Sequence, residues 1–422
     1  MRPLSLTLFI LAAVAPLSAQ TRPKDVREVA KGGSAALPKL QEFLKDPNTD
    51  VRIEAVKQIS EIGTQRSIDP LLLAANDNDP EVQIRATDGL VNFYLPGYLQ
   101  TGFAASLKRV GTGIKGKFTD TNDQVIDPYV QVRPEVITAL GKLARGGGNM
   151  ESRANAARGL GVLRGRAAIA ELVDATHSKN TELIYESLIA IQKIGDQSAG
   201  PMTVFLLHDL DQRVQLAAIE TQGLLRNQEA VPDLIDVLTN RARDVKVKRA
   251  ALTSLAMLPS EKSRSLYAQY LRDKDEKLRG AAAEGYGRLR NPADLPVLVK
   301  AWQDEGKTSP RLSMAFAQVM LGKTELSEFS PLQYLVNTLN SASYKGEAAP
   351  LLVELAREQR VRTLLYQALP KGTKDEKIGI AGILARSGDQ QSVAALQKLA
   401  DDPDPEVSKE ALRAVRTLQT RM

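Results

Sequence analysis

The chain has 422 residues, 43% of them hydrophobic, 25% charged and only 5% aromatic, the proportions of a folded protein packed through small contacts. Lys and Arg number 56 against 50 Asp and Glu, a formal charge of +6 carried by interspersed residues, which reads as a solvated surface open to anionic partners. The absence of cysteine excludes disulfides, a lipidated N-terminal cysteine, thiol catalysis and cysteine-based zinc sites.

Residues 1–19 read as a secretory signal peptide. Arg2 supplies a positive start, Leu4 to Val14 an apolar run, and Ser18-Ala19 a small-residue end. The run is shorter than the ~20 residues a membrane span needs. The expectation is an exported protein, periplasmic first and extracellular second, with no spanning segment after cleavage. Residues 20–35 read as an N-terminal linker or cap.

From residue 36 a unit recurs. Asp46-Pro47 makes a turn, Val51, Ala55, Ile59 and Ile62 line one helical face, and Gly63 closes the helix. With Ala55 as anchor, equivalent small residues are Ala86, Ala156, Ser187, Ala218, Ala251, Ala282, Ala315 and Ala411, most of them 31 or 33 residues apart. A fixed period of this size is the signature of stacked repeats. Each unit reads as two helices, for example Val214 to Leu225 and Ala230 to Leu238. Two helices cannot bury two apolar faces alone, so the units must stack. Asp79-Pro80 and Asp404-Pro405 place a cap before a first-turn proline. Pro232, Pro296 and Pro350 recur near the start of the second helix, and Gly63, Gly195 and Gly388 near the end of the anchor helix.

The stretches Asp402 to Val407 (Asp-Pro-Asp-Pro-Glu-Val) and Ala230 to Ile235 (Ala-Val-Pro-Asp-Leu-Ile) resemble the HEAT repeats of bacteria, in the short form also found in phycobilisome-lyase-type proteins. The resemblance covers 36–93 and 134–422. It implies an all-α fold, a right-handed α-solenoid of HEAT-like helical hairpins with roughly 11–12 repeats and one irregular insertion. It also implies a binding surface lined by the anchor helices, the concave one, since arrays of this kind serve mainly as platforms for varied partners.

Residues 94–133 break the rhythm. The step from Ala86 to Ala156 is 70 residues, more than two ordinary units, so a unit is expected to be remodelled and lengthened here. The segment is rich in glycine and aromatics. Tyr98, Phe103, Lys108, Arg109, Lys115, Lys117 and Phe118 are the candidate partner contacts, offering aromatic area and cations; the competing reading is that the aromatics tuck against neighbouring repeats. Gly111-x-Gly113-x-x-Gly116-Lys117 matches pieces of nucleotide-binding motifs. Those motifs need a strand before and a helix after, whereas Ala104 to Val110 reads as helix and Phe118 stands where a hydroxyl is required, so no nucleotide is expected.

Beyond residue 134 the repeats resume, loosening at about 322–376. The two histidines, His177 and His208, lie near helix ends without ligand spacing. Asp77-Asn78-Asp79 lacks the frame of a calcium loop, and His208-Asp209-Leu210-Asp211 reads as a capped turn. No catalytic constellation, cofactor or metal site is expected. The leading reading is therefore a non-enzymatic scaffold of the cell envelope that binds protein partners, with membrane-surface contact allowed by its charge. A lyase-like enzyme or enzyme subunit related to HEAT-repeat bilin lyases is the alternative, and a nucleic-acid-binding HEAT-like protein, which the signal peptide disfavours, is the third.

Overall fold

The computed structural model describes residues 21–98, 124–241 and 244–422, and among them there is helix and no strand. We number the helices α1 Pro23–Ala30, α2 Leu37–Phe43, α3 Thr49–Ile62, α4 Ile68–Ala74, α5 Pro80–Tyr94, α6 Pro134–Gly146, α7 Met150–Val162 and α8 Ile169–Thr176. Next come α9 Thr181–Ile194, α10 Ala199–Met202, α11 Gln212–Leu224, α12 Val231–Asp236, α13 Val245–Met257, α14 Arg264–Tyr270, α15 Glu276–Leu289 and α16 Leu295–Asp304. The array finishes with α17 Thr308–Met320, α18 Pro331–Asn337, α19 Lys345–Leu355, α20 Gln359–Ala368, α21 Lys374–Ser387, α22 Gln390–Leu399 and α23 Pro405–Arg421.

Odd- and even-numbered helices form two rows. Each odd helix packs on the next odd one, without a gap from α1 to α23, and the shorter even helices back them. This is an all-α solenoid, and the anchor residues explain why it stacks. Ala55, Ala86, Ala156, Ser187, Ala218, Ala251, Ala282, Ala315, Ile380 and Ala411 are all fully buried between neighbouring odd helices. Asp79 accepts hydrogen bonds from the N–H groups of Glu81 and Val82, and Asp404 from those of Glu406 and Val407. Pro80 and Pro405 then begin their helices where a missing N–H costs nothing.

Three sequence expectations change. The anchors 86 and 156 belong to adjacent helices: α5 packs directly on α7, and α6 takes its place in the even row between α4 and α8. The extra length of 95–133 therefore lies inside one hairpin, between α5 and its own partner, and the sequence spacing concealed this because 70 residues also fit two units. Pro350 lies inside the odd-row helix α19 rather than at the start of an even-row helix. Ala348 is the buried anchor there, and the loosened pattern from 322 hid it. Gly63 and Gly195 adopt the left-handed conformation of a helix stop, with φ of 57° and 71°. Gly388 does not; it is extended, and a Cβ there would lie on Leu384 O and on Ser392.

Glycines also set how closely some odd helices approach. A Cβ on Gly161, Gly223 or Gly287 would sit 2.8, 2.9 or 2.7 Å from the Cα of Ala190, Ser254 or Ala317 on the next odd helix. The contact is backbone against backbone, so no side-chain movement can relieve it. These approaches fall on α7, α11 and α15, every second odd helix.

The array curves. Arg288 of α15 donates to Glu354 of α19 at 2.8 Å, passing α17. Helices spaced 8–10 Å apart bring such ends together when the row bends toward them, so the C-terminal ends of the odd helices lie on the inside of the curve.

Candidate functional site

The odd row carries two kinds of polar joint, both built from its periodicity. The first is a clamp at the start of several of the long helices. Arg52 donates to Asp46 O at 3.0 Å, Gln83 to Asp77 O at 2.6 Å, Arg153 to Ala144 O at 3.1 Å, Gln215 to Leu207 O at 3.0 Å and Arg279 to Asp273 O at 2.8 Å. Each side chain stands three residues before its anchor and satisfies a carbonyl that the end of the preceding even-row element leaves unbonded. Arg52 and Arg279 reach on to a carboxylate in the next turn, Asp77 at 2.8 Å and Glu305 at 2.6 Å.

The second joint is a polar spine across α5, α7, α9 and α11. Asn155 Nδ2 donates to Asp88 at 3.0 Å, and Arg158 Nη2 to Glu186 at 2.7 Å. Arg213 donates to Glu182 at 2.6 Å and stacks on the Tyr185 ring at 3.6 Å. Glu182 and Arg213 are 38% and 53% exposed at their side chains, so this end of the spine is available to a partner. Asp88 lies at the covered end. Burial lifts its carboxyl to about 6, against the opposing bond from Asn155 and the charge of Arg158.

That shift has a measurable sign. A folded-state value above the ordinary ~3.9 means the native chain holds this proton more tightly. The stabilisation is present at low pH and is lost as pH rises through about 6. Asp88→Asn is expected to remove this slope. Urea midpoints at pH ~4.5 and ~7.5 should show wild type losing stability relative to the variant over that interval.

Of the sequence-selected contact residues, Tyr98 is described and buried, with 4% of its surface exposed. Burial pushes its phenol above the ordinary value, and its hydroxyl shares a hydrogen bond with Arg158. Phe103, Lys108, Arg109, Lys115, Lys117 and Phe118, and the glycine motif at 111–117, lie outside the described residues. The remaining polar candidates resolve into local structure. Asp77 is taken by Arg52 and Asp79 by the cap of α5. Asp211 caps α11, and Asp209 accepts from the Asp211 N–H. His177 packs edge-on against Phe205, and His208 stands 3.9 Å from Asp233. Among the described residues no cluster of three metal-ligating side chains occurs.

Sequence reasoning missed the spine. Its signal was a charge two residues after the anchor, at Asp88 and Arg158.

The HEAT-repeat family profile matches residues 18–93 and 234–317. No curated protein matches the sequence. Among solved structures the chain is similar to the complex of CpcE and CpcF of phycocyanin lyase from Nostoc, at 15% identity over 64% of this chain and 92% of that one, with a TM-score of 0.38. It is similar to YibA of E. coli at 16% identity over 71% and 95%, TM-score 0.42, and to importin beta at 14% over 94% and 65%, TM-score 0.39. With two stretches matching the repeat and an unbroken odd row running between and beyond them, the chain carries HEAT repeats within an all-α solenoid.

Proposed function

We propose that the chain is a non-enzymatic scaffold of the cell envelope that holds a protein partner against the odd-row face. The observation that carries this reading is the continuous row from α1 to α23, cross-tied by buried arginine–carboxylate pairs and ending in half-exposed charged groups such as Glu182 and Arg213. A rigid, extended, polar-rimmed surface suits a macromolecule better than a small substrate, which calls for an enclosing pocket. The envelope address rests on the signal-like residues 1–19, and no helix among the described residues is long and apolar enough to cross a membrane. The insertion residues Phe103 to Phe118 supply the second contact on the sequence reading.

Cross-linked capture from the envelope fraction tests this. The mature chain is compared with a variant carrying a short linker in place of 100–122, which keeps Tyr98 and the buried Ile126, and with Glu182→Ala/Arg213→Ala. One protein captured by the mature chain and lost from either variant supports the scaffold and locates the contact. Capture of nothing by any form, or recovery of the native chain from the cytosol, sinks it.

A further inference from the structure

The curvature brings the end of the array back to its third repeat. Asp127, in the strap leading into α6, accepts a 2.9 Å hydrogen bond from Arg413 of α23, 286 positions later. Ile126 fixes the strap: it is buried, and its N–H bonds to Val162 O at 3.0 Å at the end of α7. Four arginines converge there, Arg164 just past α7, Arg386 in the last turn of α21, and Arg413 and Arg416 in α23. Arg164 lies in the field of both Asp127 and Arg386. Tyr129, whose hydroxyl donates to Asp127 at 2.8 Å, lies in the field of Arg413 and Arg416.

The charges do not balance. The carboxylates touching Arg413 are Asp127 and, at 3.9 Å, Glu410. Arg164, Arg386 and Arg416 are exposed, and no described carboxylate is within ion-pair distance of them. Several arginines elsewhere that join two units do so through a carboxylate: Arg249 with Asp275, Arg264 with Asp294 and Arg279 with Glu305. Arg164 is also held in the left-handed region, with φ of 50°, as are Arg226 and Arg290 at the same point of their own units, where Gly195 and Gly322 stand in others. An L residue costs about 1–2 kcal/mol in that conformation. Three exposed arginines with no described carboxylate in reach, gathered beside the Asp127–Arg413 pair, make a site suited to an anion.

We propose that this seam docks an acidic peptide segment of the partner, whose carboxylates pair with Arg164, Arg386 and Arg416 while Arg413 stays on Asp127. The guanidinium fork matches carboxylates two-fold, as the other inter-unit joints of this chain already show. The proposal rests on the scaffold reading above and names the chemistry of its partner.

The test is fluorescence anisotropy of a labelled hexaglutamate peptide with the full mature chain, beside hexaglutamine and with tripolyphosphate as competitor. Hexaglutamate is expected to bind and hexaglutamine not. Arg164→Gly is expected to weaken binding about tenfold, the worth of one charged hydrogen bond, while melting no lower than wild type, because glycine takes the left-handed turn freely. Arg386→Gln/Arg416→Gln should abolish binding, and Arg272→Gln, an exposed arginine in the turn between α14 and α15, should not change it. Absence of hexaglutamate binding, or equal loss with Arg272→Gln, overturns the proposal. Tripolyphosphate binding far tighter than hexaglutamate reassigns the seam to phosphate and overturns the peptide. If a partner captured from the envelope binds Arg164→Gly as well as wild type, the scaffold stands and the seam fails alone.

Discussion

Arg288→Ala is expected to cost the fold about 3–5 kcal/mol, read as a large fall in the urea midpoint by circular dichroism. Arg288 is 9% exposed at its side chain and holds four groups together. It donates to Glu354 at 2.8 and 2.9 Å, to Glu284 at 2.9 Å and to Ala256 O at 3.3 Å, with its guanidinium 4.8 Å from the Phe316 ring centre. Burial pushes the Glu354 carboxyl up, but the bonds from Arg288 outweigh it and hold the group below its ordinary value. That stabilisation is present above the ordinary glutamate range and is lost as pH falls through the lowered value. Without Arg288, two largely covered carboxylates lose the cation that bonds them both. The double change Arg288→Met/Glu354→Leu should recover much of the loss, since an apolar pair leaves no charge stranded. If Arg288→Ala unfolds at the wild-type urea midpoint, the tie between α15 and α19 does not bear on stability.

Gly287→Val is expected to destabilise by about 3 kcal/mol, at the upper end for overpacking. Its first added carbon would lie 2.7 Å from the Cα of Ala317, so α15 and α17 must part along their length. The loss should appear as a lower midpoint with the same helical signal at low denaturant. Gly382→Ala is the control. It lies within α21 with open space around it, and should gain about 0.5–1 kcal/mol from helix propensity. Equal behaviour of the two would show that close approach is not what selects glycine in the odd row.

The fold was legible because one short unit is written many times. Alanine at most anchors and apolar residues three and four apart give the same answer in unit after unit, and Asp-Pro repeats it at some of the turns. Legibility failed where the pattern gives two answers, at the 70-residue step that holds one hairpin and at Pro350, which suits a first turn yet lies within α19. The polar joints were hidden for another reason. Arg158 meets Glu186 across 28 residues, Arg288 meets Glu354 across 66 and Asp127 meets Arg413 across 286. Those encounters depend on the small rotation between successive hairpins, summed over the array, and no single unit states it. Tyr98 was selected for its company of aromatics and cations, but it is buried, with its hydroxyl on Arg158.

The glycine approaches have a consequence for how this chain can change length. Gly161-Val162-Leu163-Arg164, Gly223-Leu224-Leu225-Arg226 and Gly287-Arg288-Leu289-Arg290 are the same four-residue phrase, with left-handed arginine at its end each time. They are spaced 62 and 64 residues apart, so between α7 and α17 the building block is a pair of hairpins, one notched and one filling the notch. Loss of a single hairpin from this stretch sets notch against notch or bulk against bulk; loss of a pair restores the fit. Duplication and trimming in the middle of this protein are thereby confined to even steps, and a designer wishing to lengthen or shorten it should cut by two.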